Sequence, residues 1–237
     1  MNSRHRALTR PLILMSLAAA PLPAIAQERE SRPLTGFNAV EVGGGIDLFL
    51  RQGDVFAVEV EAEDGDVAEI VTELRDDTLV IRRKSSFGGF FSWGDDDGAV
   101  RVTLPALVAL TASGGSDATT EGTFSSDDLE LTASGGSDLA IDVAVASLQA
   151  QASGGSDMRL SGSARAARVH ASGGSDLDAS RLTVEEADVH SSGGSDLSIA
   201  VRDRIIGDAS GGSDITYTGS PQTIDVDTSG GADVRRR

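Results

Sequence analysis

"LELTASGGSDLAIDV", Leu129 to Val143, is the stretch on which the fold turns. Apolar residues alternate with polar ones on both sides of it, Leu129/Leu131/Ala133 before and Leu139/Ile141/Val143 after. Alternation at period two marks a strand with one buried face. Between the two runs sits Ser-Gly-Gly-Ser-Asp. A glycine pair accepts the positive φ that a tight reversal demands. Ser and Asp beside it are expected to bond to nearby backbone amides, as Asx and Ser turns do.

The motif recurs. SGGSD begins at Ser113, Ser134, Ser153, Ser172, Ser192 and Ser210, and returns as SGGAD at Ser229. The intervals are 21, 19, 19, 20, 18 and 19 residues. A period near 19 with small indels predicts a solenoid that keeps one corner fixed while its far side varies. Each rung reads as strand, tight turn, strand and a looser connection to the next. The predicted fold is all-β: a β-superhelix of two facing sheets. Its structural turns fall at Gly114-Gly115, Gly135-Gly136, Gly154-Gly155, Gly173-Gly174, Gly193-Gly194, Gly211-Gly212 and Gly230-Gly231.

The residue before each motif is Ala112, Ala133, Ala152, Ala171, Ser191, Ala209 or Thr228. Only small side chains stand there, so the sheets are expected to pinch together beside the turn. Upstream, "VEVGGGIDLFL" (Val40 to Leu50) has the same grammar, and Gly43 to Asp47 is read as a degenerate first copy. "VFAVEVEAE", "TLVIRRK" and "AVRVTLPAL" read as strands. Val67, Ile70, Val71 and Leu74 fall at helical spacing, which predicts a short helix or irregular crossover. The regular repeats span 111–237 and a less regular part spans 37–110, together one domain.

Before it lie an expected signal peptide, 1–26, and an N-terminal linker, 27–36. Arg4, Arg6 and Arg10 precede the short apolar run "PLILMSLAAAPLPAIA", which ends in Ala24-Ile25-Ala26, a small-x-small cleavage pattern. The run is too short and too broken by proline to span a bilayer comfortably. No later segment is apolar enough to cross one, so no transmembrane segment is expected after cleavage. The chain has no cysteine, which removes disulfides, thiolate metal sites and cysteine nucleophiles together. The formal net charge is −17, and the three arginines before Ala26 leave −20 on the rest. That balance argues against a nucleic-acid partner, since no basic face could release counterions.

Stacked rungs would place Asp117, Asp138, Asp157, Asp176, Asp196, Asp214 and Asp233 in one column about 4.8 Å apart. Neighbouring carboxylates at that spacing repel by about 0.9 kcal/mol in water and roughly 3.5 kcal/mol at an effective dielectric of about 20. Turn amides or bound calcium would have to compensate them, which makes the column a candidate calcium ladder. The nearest calcium repeat, GGxGxDxUx, has half this period and a second Gly-x-Asp that is missing here. His170 and His190 fall on adjacent rungs and read as surface residues without a third metal ligand. No nucleophile–base pair stands out, because the serines and histidines recur with the repeat. "FGGFFSWGDDDG" gathers Phe87, Phe90, Phe91 and Trp93, four of the nine aromatics. It reads as a cap on the solenoid or as a partner patch.

The SGGSD run, the entry "VTLPALVALTASGGSD" (Val102 to Asp117) and "FNAVEVGGGIDLFLRQGD" (Phe37 to Asp54) resemble the "putative autotransporter adhesin, head GIN domain" family. The resemblance covers about Phe37 to Val234. It implies a β-solenoid related in shape to pectin-lyase-like coils, without catalytic residues, and with adhesion at the cell surface as its role. A translocating barrel has no room after the repeats, so another protein would have to export the domain to the surface, or it stays in the periplasm of a Gram-negative cell. The function expected is a non-catalytic, exported binding or adhesion module with no cofactor. Its partners would be envelope or surface glycans or proteins, and self-association through edge strands is an added expectation. Two alternatives stay open: a calcium-stabilised structural solenoid and a polysaccharide-active enzyme.

Overall fold

The computed structural model describes residues 28–62, 66–84 and 98–237. The strands are β1 (Glu28–Ser31), β2 (Ala39–Gly43), β3 (Asp47–Gln52), β4 (Ala57–Ala62), β5 (Ile70–Arg75), β6 (Thr78–Arg83), β7 (Ala99–Leu104), β8 (Ala109–Ser113) and β9 (Ala118–Thr120). They continue with β10 (Phe124–Ser134), β11 (Asp138–Ser153), β12 (Asp157–Ser172), β13 (Asp176–Gly193), β14 (Asp196–Gly211), β15 (Asp214–Gly219), β16 (Thr223–Thr228) and β17 (Asp233–Arg236). Together they form the expected all-β solenoid with rungs of roughly 19 residues.

Rungs stack parallel and in register. In β11 and β12, Leu139 faces Met158 and Ala152 faces Ala171. The long strands do not stop at the far side of the coil. In β11 the buried residues are Leu139, Ile141, Val143 and Val145, and then Leu148, Ala150 and Ala152. Burial shifts phase by one between Val145 and Leu148. That shift is the far corner, where the pairing steps from Val145↔Ala164 to Ser147↔Ala166. The looser connection expected there is a one-residue bend inside a continuous hydrogen-bonded ladder. The two facing sheets are thus one ladder wound on itself. Length differences collect between the turns, as an irregularity at Arg159/Ser161 and others at Ala179/Thr183 and Val184/Glu186.

The small residues expected beside the turn line up there. Ala112, Ala133, Ala152, Ala171, Ser191 and Ala209 form one column and are all buried, while Thr228 at the C-terminal end is exposed. Across the turn runs a wider column of Leu48, Ala118, Leu139, Met158, Leu177, Leu197 and Ile215. Each is at most 1% exposed. Burying a side chain of that size fully contributes about 1.5–3 kcal/mol, so repetition stabilises a core with few aromatics.

The N-terminal part departs from chain order. The β2–β3 rung lies second in space, with β2 between β6 and β8, and β3 between β7 and β9. Gly43 pairs with Ser113, so Gly43 to Asp47 is indeed a copy of the turn, with Ile46 in place of the second serine. The short helix or irregular crossover expected over Val67 to Leu74 is confined to its first residues. A single 3-10 turn covers Asp66–Ala68, and Ile70–Arg75 is a strand. It pairs antiparallel with β6 through a two-residue turn at Asp76-Asp77, where Asp76 has φ +52°. The hairpin's cross-strand hydrogen bonds override a helical spacing that rested on four apolar residues.

Residues 28–31, within the segment read as a linker, pair antiparallel with β4. Strands β1, β4 and β5 together cap the N-terminal end. Glu61 on β4 is buried there, and Arg29 (3.2 Å) and Arg101 (3.1 Å) hold its carboxylate. Arg101 also pairs with Glu121 at 2.9 Å and lies over the Phe49 ring. A buried carboxylate needs such partners, because leaving it unpaired is strongly destabilising. The aromatic segment holding Phe87, Phe90, Phe91 and Trp93, like the expected signal peptide, lies outside the described residues. Its flanks, Lys84 and Gly98, emerge at the edge that carries the glycine turns, since Arg82 pairs with Gly43 and Ala99 with Asp47.

Candidate functional site

The repeated turn is built from its second serine. Ser116, Ser137, Ser156, Ser175, Ser195 and Ser213 are fully buried. The hydroxyls of Ser137, Ser156, Ser175, Ser195 and Ser213 donate to the carbonyl three residues back at 2.8–3.0 Å. These hydroxyls also tie rungs together. Ser156 Oγ accepts from Ser137 N at 3.3 Å, and Ser116 Oγ accepts from Gly45 N and Ile46 N at 3.1 Å. Ser195 and Ser213 instead donate to carbonyls of the rung before, Ala171 O at 3.1 Å and Ser191 O at 3.0 Å, so the serine anchors the reversal mainly through carbonyls, where acceptance from its own turn's amides was expected. Its signal in the sequence is that this position changes only in the two terminal copies, to Ile46 and Ala232.

Glycine is required at both turn positions in the first four regular copies. Gly154, at φ +66°, would bring a Cβ to 3.3 Å from Gly135 N, whereas Gly155, at φ +75°, faces open space. From Gly193 onward the first glycine alone keeps positive φ, as at Gly193, Gly211 and Gly230.

The aspartates form the predicted column. Asp138, Asp157, Asp176, Asp196, Asp214 and Asp233 are paired rung to rung. The pairing of Leu48 and Leu139 with Ala118 puts Asp117 and Asp47 in line with them. Arginines two residues along the same strands meet the ladder. Arg159 approaches Asp157 at 3.5 Å, and Arg235 reaches both Asp214 and Asp233 at 3.1 Å. Partial desolvation, and then the charges of Asp157 and Asp196 on either side, raise the Asp176 carboxyl above its ordinary value against the pull of Arg159. Desolvation also raises Asp178, but hydrogen bonds from the Ser180 hydroxyl and backbone, with Arg181 and Arg159 nearby, carry it below its ordinary value. Among the described residues no three Asp, Glu or His side chains converge on a metal-sized point.

The two histidines are paired across rungs with ring centroids 6.3 Å apart. His190 is not a plain surface residue. Its Nδ1 lies 2.6 Å from Asp208 and its Nε2 3.0 Å from Asp188. Asp188 also receives Arg168 at 2.9 Å. Arg168, Asp188, His190 and Asp208 therefore form a chain of polar contacts on the outer face of the sheet that precedes the turn.

The same face holds a shallow groove of about 350 Å³ near the far corner. Ser147, Ala166, Glu186 and Arg204 form one column of it, and Gln149, Arg168, Asp188 and Ile206 the next. Ser147 and Ala166 leave the hollow because their side chains are short, and the longer charged residues rise around it. Two guanidiniums, two carboxylates and an amide offer donors and acceptors at one strand spacing. Such an array suits a ligand rich in hydroxyls and amides. Sequence reasoning missed the groove because its residues lie one rung apart and belong to no motif.

Solved structures of similar fold include the following three. A protein titled a putative adhesin from Bacteroides fragilis has a TM-score of 0.82 and 21% identity, covering 91% of this chain and 99% of that one. A putative adhesin from Parabacteroides distasonis has a TM-score of 0.69 and 18% identity, covering 89% and 97%. A protein titled a putative lipid binding protein from the same species has a TM-score of 0.67 and 15% identity, covering 88% and 96%. At these identities the likeness shows the fold alone. No curated protein matches the chain in sequence. The family described as "Putative auto-transporter adhesin, head GIN domain" matches residues 36–221. The chain belongs to that family.

Proposed function

We propose that the chain is an exported, non-catalytic binding module of the cell envelope that holds surface glycans along the sheet face preceding the SGGSD turns. The observation that carries this is the groove at Arg168, Glu186, Asp188 and Arg204, set in a face whose columns repeat at every rung. Each contact is solvent-exposed and weak alone. A repeating ligand engages several rungs at once, and linked contacts raise avidity without new chemistry. The Ala24-Ile25-Ala26 pattern supports export, to the periplasm or the cell surface. Among the described residues no helix is long and apolar enough to cross a membrane.

A glycan array probed with the domain beginning at Gln27, together with fractionation of cells making the full chain, tests this reading. The expected result is the protein in an envelope or surface fraction and retention on a polymeric glycan whose chain length does not change. Surface proteins printed on the same array test the other ligand class. Release of shortened glycan would assign an enzyme instead, and a wholly cytoplasmic protein would remove the export step.

A further inference from the structure

A second hollow, of about 240 Å³, lies on the other side of the coil, on the sheet that follows the turns. Two rows of outward residues on β4, β7 and β3 build it. Glu59, Arg101 and Phe49 stand side by side across the three strands, and two residues along them come Ala57, Thr103 and Arg51. Ala57 and Thr103 are short, so the floor drops between a carboxylate, an aromatic ring and a guanidinium at three corners. Phe49 lies between the buried Leu48 and Leu50, so its half-buried ring belongs to the outer face.

One guanidinium of the hollow is fixed and the other is not. Glu61 at 3.1 Å, Glu121 at 2.9 Å and the Phe49 ring at 4.5 Å all hold Arg101. Replacing a buried ion pair by apolar residues is often neutral for stability, so what the buried Glu61 supplies is orientation of Arg101. Arg51 stands beside Glu121 in the sheet, one residue past the Leu50↔Thr120 pair, yet Glu121 turns to Arg101. Among the described residues the Arg51 guanidinium has no hydrogen bond or ion pair, and neither has the Glu59 carboxylate.

We propose that this hollow binds a single sugar residue carrying a carboxylate, with Arg51 as the cation that selects the acid. A planar guanidinium takes a carboxylate through two parallel N–H donors. Glu59 and the Thr103 hydroxyl accept from sugar hydroxyls, and the Phe49 ring gives an apolar wall to the C–H face of the sugar. The volume is below the roughly 300–1,000 Å³ of drug-sized sites, which suits one sugar residue. A ligand so small on an exposed face binds weakly, with Kd on the order of 1 mM. The site is on the opposite side from the groove and stands whether or not the groove takes a glycan.

Titration of the chain from Gln27 with D-glucuronate, followed by two-dimensional NMR, tests this. The expected result is saturable shifts at Phe49, Arg51 and Thr103, with D-glucose and acetate each at least tenfold weaker. Arg51→Gln, at an exposed position, should weaken glucuronate at least tenfold while the remaining signals keep their places. No saturable shift up to about 50 mM overturns the proposal. So do equal binding of glucose, which denies selection of the acid, and equal binding of acetate, which denies the sugar. Shifts confined to the groove around Arg204 would overturn the location, and unchanged binding by Arg51→Gln would overturn the role of Arg51.

Discussion

The backbone N–H of Ser137 donates to the hydroxyl of Ser156 across 3.3 Å, and that hydroxyl donates in turn to the Ser153 carbonyl at 2.8 Å. One oxygen therefore closes a turn and joins it to the rung before. Ser156→Ala removes both functions in a fully buried place. Leaving buried polar groups unsatisfied costs about 1–3 kcal/mol. For a domain of this size each kcal/mol lowers Tm by roughly 2–4 °C. Ser153→Ala, at the half-buried first serine, is expected to change stability by less than about 0.5 kcal/mol. Thermal melts of the two variants check the contrast, and equal losses would contradict it.

The glycines rank by what a Cβ would meet. Gly155→Ala faces open space and is expected to cost only the left-handed backbone penalty, about 1–2 kcal/mol. Gly154→Ala adds a tight contact with Gly135 N and should cost more. Gly162, inside β12 at φ +103°, would drive a Cβ to 2.0 Å from Val143 O, so Gly162→Ala should be the most damaging of the three. Urea unfolding midpoints give the order.

Asp176 carries a pH signature of defined sign. Its raised folded pKa means that the folded chain holds the proton more tightly than the unfolded chain does. Stability from this group is therefore lost as pH rises from the ordinary value of 3.8 through the raised one. Asp176→Asn relieves the partial desolvation of the carboxylate and its repulsion from Asp157 and Asp196, and should raise Tm at pH 7 by about 2–4 °C, on a repulsion near 0.9 kcal/mol between neighbouring charges. The gain should vanish below pH 3.8, where the carboxyl is neutral in both states. A gain that persists in acid would trace the effect to something other than charge.

Arginine compensation of the ladder makes a further prediction. Arg159→Gln removes the cation beside Asp157 and should destabilise the fold by a few tenths to about 1 kcal/mol, less at high salt because the pair is exposed. Millimolar calcium should leave the wild-type Tm unchanged. A calcium-dependent rise of several degrees would make the column a cation ladder after all.

What the sequence made legible follows from what repeats. The alternation around SGGSD, the small residue at Ala133 and the period near 19 are local and occur many times, so they reveal the coil, its tight edge and the aspartate column. Features fixed by contacts distant in sequence stayed hidden. The insertion of β2 between β6 and β8 depends on pairings 39 and 70 residues apart, Ala39↔Thr78 and Ala39↔Ala109. Ile70 to Leu74 became strand because of a partner that four spaced apolar residues cannot announce. The Arg168–Asp188–His190–Asp208 chain arises only when three rungs are stacked, and the groove only when four are.

Under the proposed function the aspartate edge is scaffold and the face before the turns takes the ligand. Binding of an array-identified glycan to two variants tests it most directly. Asp157→Asn/Asp196→Asn alters the ladder, and Arg168→Ala/Arg204→Ala alters the groove, with folding of both checked by circular dichroism. The first variant is expected to bind like the parent and the second to lose at least tenfold in affinity. Loss of binding in the ladder variant with the groove variant unaffected would contradict it.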